Sequence, residues 1–269
     1  VLMRTVVVGV GNMGGALVRG LVGRGVVAAS ELTLIDSDPD KAGLLGRELG
    51  CAFGAELELV RGAALVILAV KPQVAPTALA GLPALVGPET VVVSIMAGTM
   101  LADLAAFAGE AVPVRAMPNT PAAVGKGVTA LYANGLSDAA RVSVENLFER
   151  TGSVVWLESE NQFDAVTAVS GSGPAYVFRF IEALAAAGEA AGLPSELAEK
   201  LARATVVGAS ALAEVDPRSP RDLRAAVTSP GGTTQAGLEA LDADPGLPAL
   251  VRAAVRAAAG RSKELAEGR

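Results

Sequence analysis

The first 158 residues alternate between short apolar runs and helix-compatible stretches. The apolar runs predict seven strands, at 5–8, 32–35, 65–70, 91–95, 112–116, 128–131 and 154–157. The stretches between them predict helices, among them 14–21, 40–49, 101–108 and 138–150. Strands that alternate with helices favour a mostly parallel, doubly wound sheet, so this part of the chain predicts an α/β fold.

From residue 162 onward the strand pattern stops. Six helices are predicted instead, at 162–169, 174–191, 195–213, 220–226, 233–241 and 248–267. The change of pattern divides the chain into domains of residues 1–160 and 161–269. The second domain is rich in alanine and poor in large aromatic side chains, which favours an intertwined helical homodimer. The helix propensity of alanine is the alternative explanation.

A glycine-rich turn follows the first predicted strand. Its sequence, GVGNMG, matches the G-x-G-x-x-G pattern that opens a dinucleotide-binding βαβ unit. The first glycine permits a tight turn, the second lets a pyrophosphate approach the backbone, and the third lets the helix pack against the strand. The motif therefore predicts a Rossmann-like domain, with the cofactor contacted by Gly9, Gly11, Asn12, Met13 and Gly14.

The next strand ends at Asp36, which is followed by Ser37. A carboxylate at this place suits the hydroxyls of an adenosine ribose. Acidic side chains at Asp36, Asp38 and Asp40 would repel a 2′-phosphate, so NADH is predicted to be weakly preferred over NADPH. Ser37 could still donate a hydrogen bond to a phosphate, which leaves the use of both cofactors open.

Two later loops also follow strands and carry candidate cofactor contacts. The first holds Ala69, Val70, Lys71 and Pro72, where the lysine either faces the ligand crevice or is a solvated loop residue. The second, RAMPNTP, holds Asn119 between two prolines. Its amide suits a nicotinamide carboxamide or an imine nitrogen, and a rigid turn is the alternative.

Two segments in the helical half share serine, glycine and proline and are predicted to open helices. Helix N-termini offer free N–H groups to a carboxylate, although simple capping is the alternative for either segment alone. The first, SGSGP, places Ser172 in the predicted substrate site. The second, SPGGTT, adds Ser229, Gly231, Gly232, Thr233 and Thr234.

Composition restricts the chemistry. With 22 basic and 28 acidic residues the net charge is −6, and no basic stripe predicts a nucleic-acid partner. The longest apolar run is too short for a membrane span, and the apolar start is interpreted as a strand rather than a signal peptide. One cysteine excludes an internal disulfide and favours a cytoplasmic location.

Histidine is absent from the chain. This removes a histidine base, a Ser-His-Asp triad and any histidine-bound metal, and no metal site is predicted. A nicotinamide enzyme with so few acid–base groups suits a substrate that needs little activation. A protonated C=N bond fits this requirement better than an unactivated ketone.

Five motifs, taken in order, resemble those of the pyrroline-5-carboxylate reductase family: GVGNMG, AVKP, RAMPNTPAAVGKG, AVSGSGPAYVF and VTSPGGTT. The resemblance spans nearly the whole chain. It implies hydride transfer from NADH or NADPH to C5 of 1-pyrroline-5-carboxylate, the last step of proline synthesis. It also implies a Rossmann domain followed by a helical dimerisation domain, dimers that assemble further into decamers, and an active site shared between subunits.

The same resemblance implies roles for single residues. Residues 229–232 would cradle the substrate carboxylate, and Thr234 would lie near the ring nitrogen, so Ser229 and Thr234 are the predicted catalytic residues. Two alternatives remain at this point. A β-hydroxyacid dehydrogenase should carry a catalytic lysine, and the helix after Pro174 has none. A non-catalytic nucleotide sensor would need no serine–glycine cradle.

Overall fold

The computed structural model of the protein describes residues 4–266. The chain forms two compact units: residues 4–172 with 258–266, and residues 173–257. The first unit contains more of the chain than the predicted domain 1–160, because the chain's last turns pack on it. Ser262 Oγ donates to Asp164 Oδ1 at 2.7 Å in this region. The division at residue 160, which was placed at the change from strand to helix pattern, stays a prediction.

The first unit is built on one eight-stranded sheet with the order β3-β2-β1-β4-β5-β6-β7-β8. Its strands are β1 Thr5–Val8, β2 Leu32–Ile35, β3 Ala52–Gly54, β4 Leu65–Leu68, β5 Val91–Ser94, β6 Val112–Met117, β7 Gly127–Tyr132 and β8 Gly152–Trp156. All seven predicted strands are present, with ends that differ by one or two residues. The three-residue edge strand β3 was not predicted, because its apolar run is short and is interrupted by glycine.

The sheet is parallel except where β7 runs antiparallel to β6, with Arg115 opposite Tyr132. Only a short turned segment, Thr120–Val124, separates these two strands. A parallel pairing needs a longer crossover, so the short connection dictates the antiparallel arrangement. The expectation of a mostly parallel sheet is therefore confirmed with one exception.

The helices are α1 Asn12–Gly23, α2 Pro39–Leu49, α3 Ala75–Ala78, α4 Leu101–Ala108, α5 Asp138–Glu149, α6 Phe163–Val166, α7 Gly173–Ala190, α8 Ser195–Val215, α9 Pro220–Ala226, α10 Thr233–Asp242 and α11 Leu247–Ala266. The four helices predicted in the first half and five of the six predicted in the second are present within two residues at each end. Glu267, the predicted last helical residue, lies outside the described residues. Within 4–266, no helix is long and apolar enough to cross a membrane.

Apolar side chains cover both faces of the sheet. On one face Val7, Leu34 and Ile67 pack with α1 and α5. On the other, Val6 and Val66 pack with α4 and the segment before β5. Because successive side chains of a strand point to opposite faces, burial on both sides requires continuous apolar runs. This explains why the central strands were recognisable from the sequence.

Candidate active site

The glycine-rich turn after β1 requires glycine at two positions for different reasons. Gly9 has φ +99°, and a Cβ there would lie 2.7 Å from the carbonyl carbon and oxygen of Ala69. A Cβ on Gly14 would overlap the carbonyl oxygen of Gly9 and approach the Ala69 side chain at 3.1 Å. These contacts bring the turn after β1 against the residue that follows β4. The two segments were predicted separately, and the structure places them together.

Gly11 has open space where its side chain would be, with no protein atom within 4 Å. It caps the N-terminus of α1, and no side chain caps that helix. No acidic side chain lies in the first turn. The free N–H groups and the positive end of the helix dipole therefore face space that a phosphate could fill.

Asp36 is the residue that joins this turn to the end of β2. Its Oδ2 accepts from the Val10 N–H at 2.9 Å, and its Oδ1 accepts from the Asp38 N–H at 3.0 Å. The carboxylate is half-buried. It therefore holds the glycine-rich turn as well as lying at the place predicted for the ribose, a second role that the motif did not reveal.

The neighbouring acidic residues are less available to oppose a phosphate than their number suggested. Asp38 caps α2 by accepting from the N–H groups of Asp40 and Lys41, and its carboxylate pairs with the Lys41 ammonium at 3.2 Å. That pairing lowers the pKa of Asp38. Ser37 is exposed. The segment thus presents a partly neutralised acidic turn with one exposed hydroxyl.

The loop after β4 begins two residues earlier than predicted, because β4 ends at Leu68. Ala69 still donates its N–H to the Val8 carbonyl at 2.8 Å, which keeps the loop against the glycine-rich turn. Lys71 is exposed, and Pro72 opens a short turn of helix, Pro72–Val74. These residues lie at the carboxyl end of the sheet beside β1, where the strand order reverses and doubly wound proteins bind ligands.

Asn119 is 6% exposed, and its amide is engaged with the protein. Its Nδ2 donates to the carbonyl oxygen and to Oγ of Ser170, both at 3.2 Å, and its Oδ1 accepts from the Val128 N–H at 2.8 Å. In a regular helix the Ser170 carbonyl would accept from residue 174, which is a proline without an N–H. Asn119 supplies that missing donor, and its contact with a ligand stays a prediction.

SGSGP opens a helix as predicted, since α7 begins at Gly173, but the chain is already helical before it: α6 passes into a π-helical turn, Thr167–Gly171, which ends one residue before α7. The Ser172 N–H donates to the Thr167 carbonyl at 2.8 Å, so it is not free to bind a carboxylate. Single π-helical turns occur often at functional sites.

A cavity of about 280 Å³ lies within the first unit, next to the loop after β5. Its walls are formed by that loop, by the π-helical turn and by the end of α11, with lining residues that include Ala97, Gly98, Thr167, Ser172, Arg261 and Ser262. The cavity therefore adjoins the carboxyl end of the sheet, one strand beyond the loop that holds Lys71. Of the predicted site residues, Ser172 is the one that lines it.

The SPGGTT segment belongs to the second unit and is a loop that leads into α10. Gly231 has φ +69°, and its N–H donates to Gln235 Oε1 at 2.8 Å. Gly232 caps α10 without a side-chain hydrogen bond. The side chains of Ser229, Thr233 and Thr234 are exposed. The predicted helix start is confirmed here, with hydroxyls and an uncapped N-terminus close together in the chain.

Comparison with known proteins gives the relationship of the chain. Residues 160–265 match the family model described as pyrroline-5-carboxylate reductase dimerisation, and residues 4–98 match that described as NADP oxidoreductase, coenzyme F420-dependent. The chain is 42% identical to the pyrroline-5-carboxylate reductase of Pseudomonas aeruginosa over 269 residues, which cover 98% of this chain and 97% of that one. It belongs to the pyrroline-5-carboxylate reductase family.

Solved structures of pyrroline-5-carboxylate reductases share the whole fold. The Coxiella burnetii protein has a TM-score of 0.91 at 33% identity, with 98% of this chain and 99% of that chain covered. The Plasmodium falciparum protein, solved with NADP bound, has a TM-score of 0.85 at 28% identity, with 98% of each chain covered. The predicted Rossmann-like sheet and helical domain are confirmed.

Sequence reasoning missed seven of the eight residues that line the cavity, among them Ala97, Gly98 and Thr167. A signal for these first two was present, because they follow a predicted strand in the same way as Lys71. That position was their only signal, since they belong to no glycine-rich motif and carry no polar side chain. Thr167 had no such signal, since its place depends on the π-helical turn.

Proposed function

We propose that this protein reduces 1-pyrroline-5-carboxylate to L-proline with NADH or NADPH. The observation that carries the proposal is the uncapped N-terminus of α1 beside the open space at Gly11, in a chain of this family. When bound, the dihydronicotinamide supplies a hydride to C5 of the imine. The protein's own groups bind, orient and exclude water.

The strand order suggests how the dinucleotide is arranged. The adenosine ribose belongs at Asp36 after β2, and the pyrophosphate belongs at Gly11 and the first turn of α1. The loops after β4 and β5 lie next along the same edge of the sheet. Ala69, Val70, Lys71 and Pro72 would therefore hold the middle of the dinucleotide, and the cavity beside Ala97 would hold its nicotinamide end.

The substrate carboxylate is assigned to the SPGGTT segment. Its exposed hydroxyls and the uncapped N-terminus of α10 offer hydrogen bonds to an anion without an arginine. Thr234 is assigned to the ring nitrogen, where its hydroxyl oxygen can accept a hydrogen bond from the N–H of the protonated imine. An imine that is protonated in solution needs no histidine, which agrees with a chain that contains none.

Dimerisation through residues 161–269 is part of the proposal. Large apolar side chains are exposed on α7 and α8, among them Val177, Phe178, Phe180, Leu201 and Val207. An apolar surface of this kind favours burial against another chain. The resemblance to the dimerisation model over 160–265 supports a second copy of this chain as the partner.

A weak preference for NADH also stays a proposal. Asp36 is the acidic group closest to the predicted ribose, while the Asp38 charge is offset by Lys41. The repulsion of a 2′-phosphate therefore comes mainly from one carboxylate. This favours a small preference for NADH and does not exclude the use of NADPH. Asp36→Ser should raise kcat/KM for NADPH relative to NADH, with Asp40→Ser as the control. A wild-type ratio that favours NADPH and does not move in Asp36→Ser would contradict the assignment.

The function is tested with purified protein, NADH or NADPH, and pyrroline-5-carboxylate, by following the absorbance of the reduced nicotinamide. We expect the reduced cofactor to be oxidised only when the imine is present, and proline to be the product. A β-hydroxyacid substrate with the oxidised cofactor serves as the comparison. Turnover of the hydroxyacid in place of the imine, or cofactor binding without turnover of either, would refute the proposal.

A further inference from the structure

A charge cluster centred on a buried arginine connects two of the segments that line the cavity and involves none of the residues assigned to substrate or cofactor. Its centre is Arg115 on β6, which is 4% exposed. The Arg115 guanidinium pairs with Glu160 Oε1 at 2.8 Å, contacts Met100 Sδ at 3.3 Å and lies 4.0 Å from the centre of the Phe163 ring. Removing an ion pair from water costs desolvation and often adds little stability, so a gain in stability alone does not account for this pair.

The cluster joins the starts of two chain segments. Glu160 Oε1 also accepts from the Leu101 N–H at 2.6 Å, which anchors the first residue of α4 and the end of the loop that contains Ala97 and Gly98. Glu160 itself begins the helical stretch that continues through Phe163 to the π-helical turn. One carboxylate oxygen therefore fixes two of the cavity walls relative to each other.

We propose that Arg115 and Glu160 are positioning residues for hydride transfer. They hold the loop after β5 and the π-helical turn at the separation that orients the nicotinamide for transfer of its hydride to the imine. The inference rests on the proposed function, because it takes this cavity as the place that holds the nicotinamide. A small displacement of one wall would then lower the rate without removing any group that touches a reactant.

The test is Glu160→Gln in the full-length protein. A neutral amide oxygen accepts more weakly than a carboxylate, so glutamine keeps the size of the side chain but weakens both bonds of the shared oxygen, to the Leu101 N–H and to Arg115. We expect kcat per folded protein to fall about 10- to 100-fold. The Kd for NADH or NADPH should change less than threefold, because the glycine-rich turn is anchored separately by Asp36. The primary isotope effect on kcat/KM with cofactor deuterated at the transferred position should rise.

A second arginine–glutamate–aromatic cluster in the same unit provides a control. Arg141 pairs with Glu145 at 3.2 Å and lies 4.1 Å from the centre of the Trp156 ring, away from the lining of the cavity. Glu145→Gln removes the charge of a more exposed pair of the same type and should leave kcat and the isotope effect at their wild-type values. Equal losses in Glu145→Gln and Glu160→Gln would refute a positioning role.

Glu160→Gln leaves a buried arginine without its partner and could fail to fold. The double substitution Arg115→Met with Glu160→Gln removes both charges together and should show the same rise in the isotope effect. Amide hydrogen exchange of residues 96–101 should be faster in both variants, a readout that needs no turnover. Unchanged exchange and an unchanged isotope effect would overturn the inference. An inactive wild type with faster exchange in the variants would instead refute the proposed function.

Discussion

Gly9 and Gly11 stand two residues apart in one motif, and the structure predicts opposite consequences for replacing them by alanine. At Gly9, φ +99° strains any other residue by about 1–3 kcal/mol. The new Cβ would also lie 2.7 Å from backbone atoms of Ala69, and overpacking of this kind costs a further ~1–3 kcal/mol. Gly9→Ala should therefore destabilise the first unit by roughly 2–6 kcal/mol.

Gly11→Ala should behave differently. Its φ of −64° and ψ of −166° suit alanine, and no protein atom lies near the new Cβ. The change in stability should stay within about 1 kcal/mol, because the weaker cap and the lower entropy of the unfolded chain oppose each other. The Kd for the dinucleotide should rise at least about tenfold, since the methyl group occupies the space assigned to the pyrophosphate.

Thermal unfolding and a fluorescence titration with NADH separate the two effects. Gly9→Ala should lower Tm by roughly 4–24 °C, using about 2–4 °C per kcal/mol for a unit of this size. Gly25→Ala is the control, because it has φ +65° and open space, and should cost only about 1–2 kcal/mol. A Gly11→Ala protein that binds NADH as the wild type does, or a Gly9→Ala protein with wild-type Tm, would refute the reasoning.

Three further outcomes are expected. Thr234→Ala should lower kcat/KM for the imine at least about tenfold with the cofactor Kd unchanged, and wild-type kinetics would contradict its assigned role. Phe178→Glu should reduce the fraction of dimer measured by light scattering. Leu44→Glu should not, because Leu44 is similarly exposed but lies in the first unit. Cys51 should react slowly with a thiol reagent in the native protein and promptly in denaturant, because burial raises its pKa; fast native labelling would contradict this.

The sequence predicted the sheet well because its central strands are buried on both faces. Runs such as Thr5–Val8 and Leu65–Leu68 are apolar at nearly every position, and this signal is local in the chain. The edge strand Ala52–Gly54 gives a weaker signal, since its apolar run is short and is interrupted by glycine. The apolar pattern also could not predict that β7 runs antiparallel to β6, because the direction of a strand is set by the length of the connection that precedes it.

The candidate site was predictable only where one segment carries its own chemistry. The glycine motif and SPGGTT could be recognised because turn, cap and hydroxyl lie within a few residues. The second role of Asp36 could not, because its bond to Val10 joins residues far apart in the chain. The Arg115–Glu160 cluster was likewise hidden, since a basic residue in a strand and an acidic one at the start of a helical stretch 45 residues later give no pairing signal of their own.

Asn119 and Pro174 show why a local pattern can miss a distant partner even when each residue is understood correctly. Proline favours the first turn of a helix, and α7 does begin at Gly173. The chain is helical on both sides of this start, and Pro174 has no N–H to take the donor's place at the Ser170 carbonyl. The amide of Asn119 takes that place from a loop 51 residues earlier in the chain. At this proline, a side chain from a distant loop donates a hydrogen bond to the helix backbone. The spacing of residues along the helix carries no information about that donor.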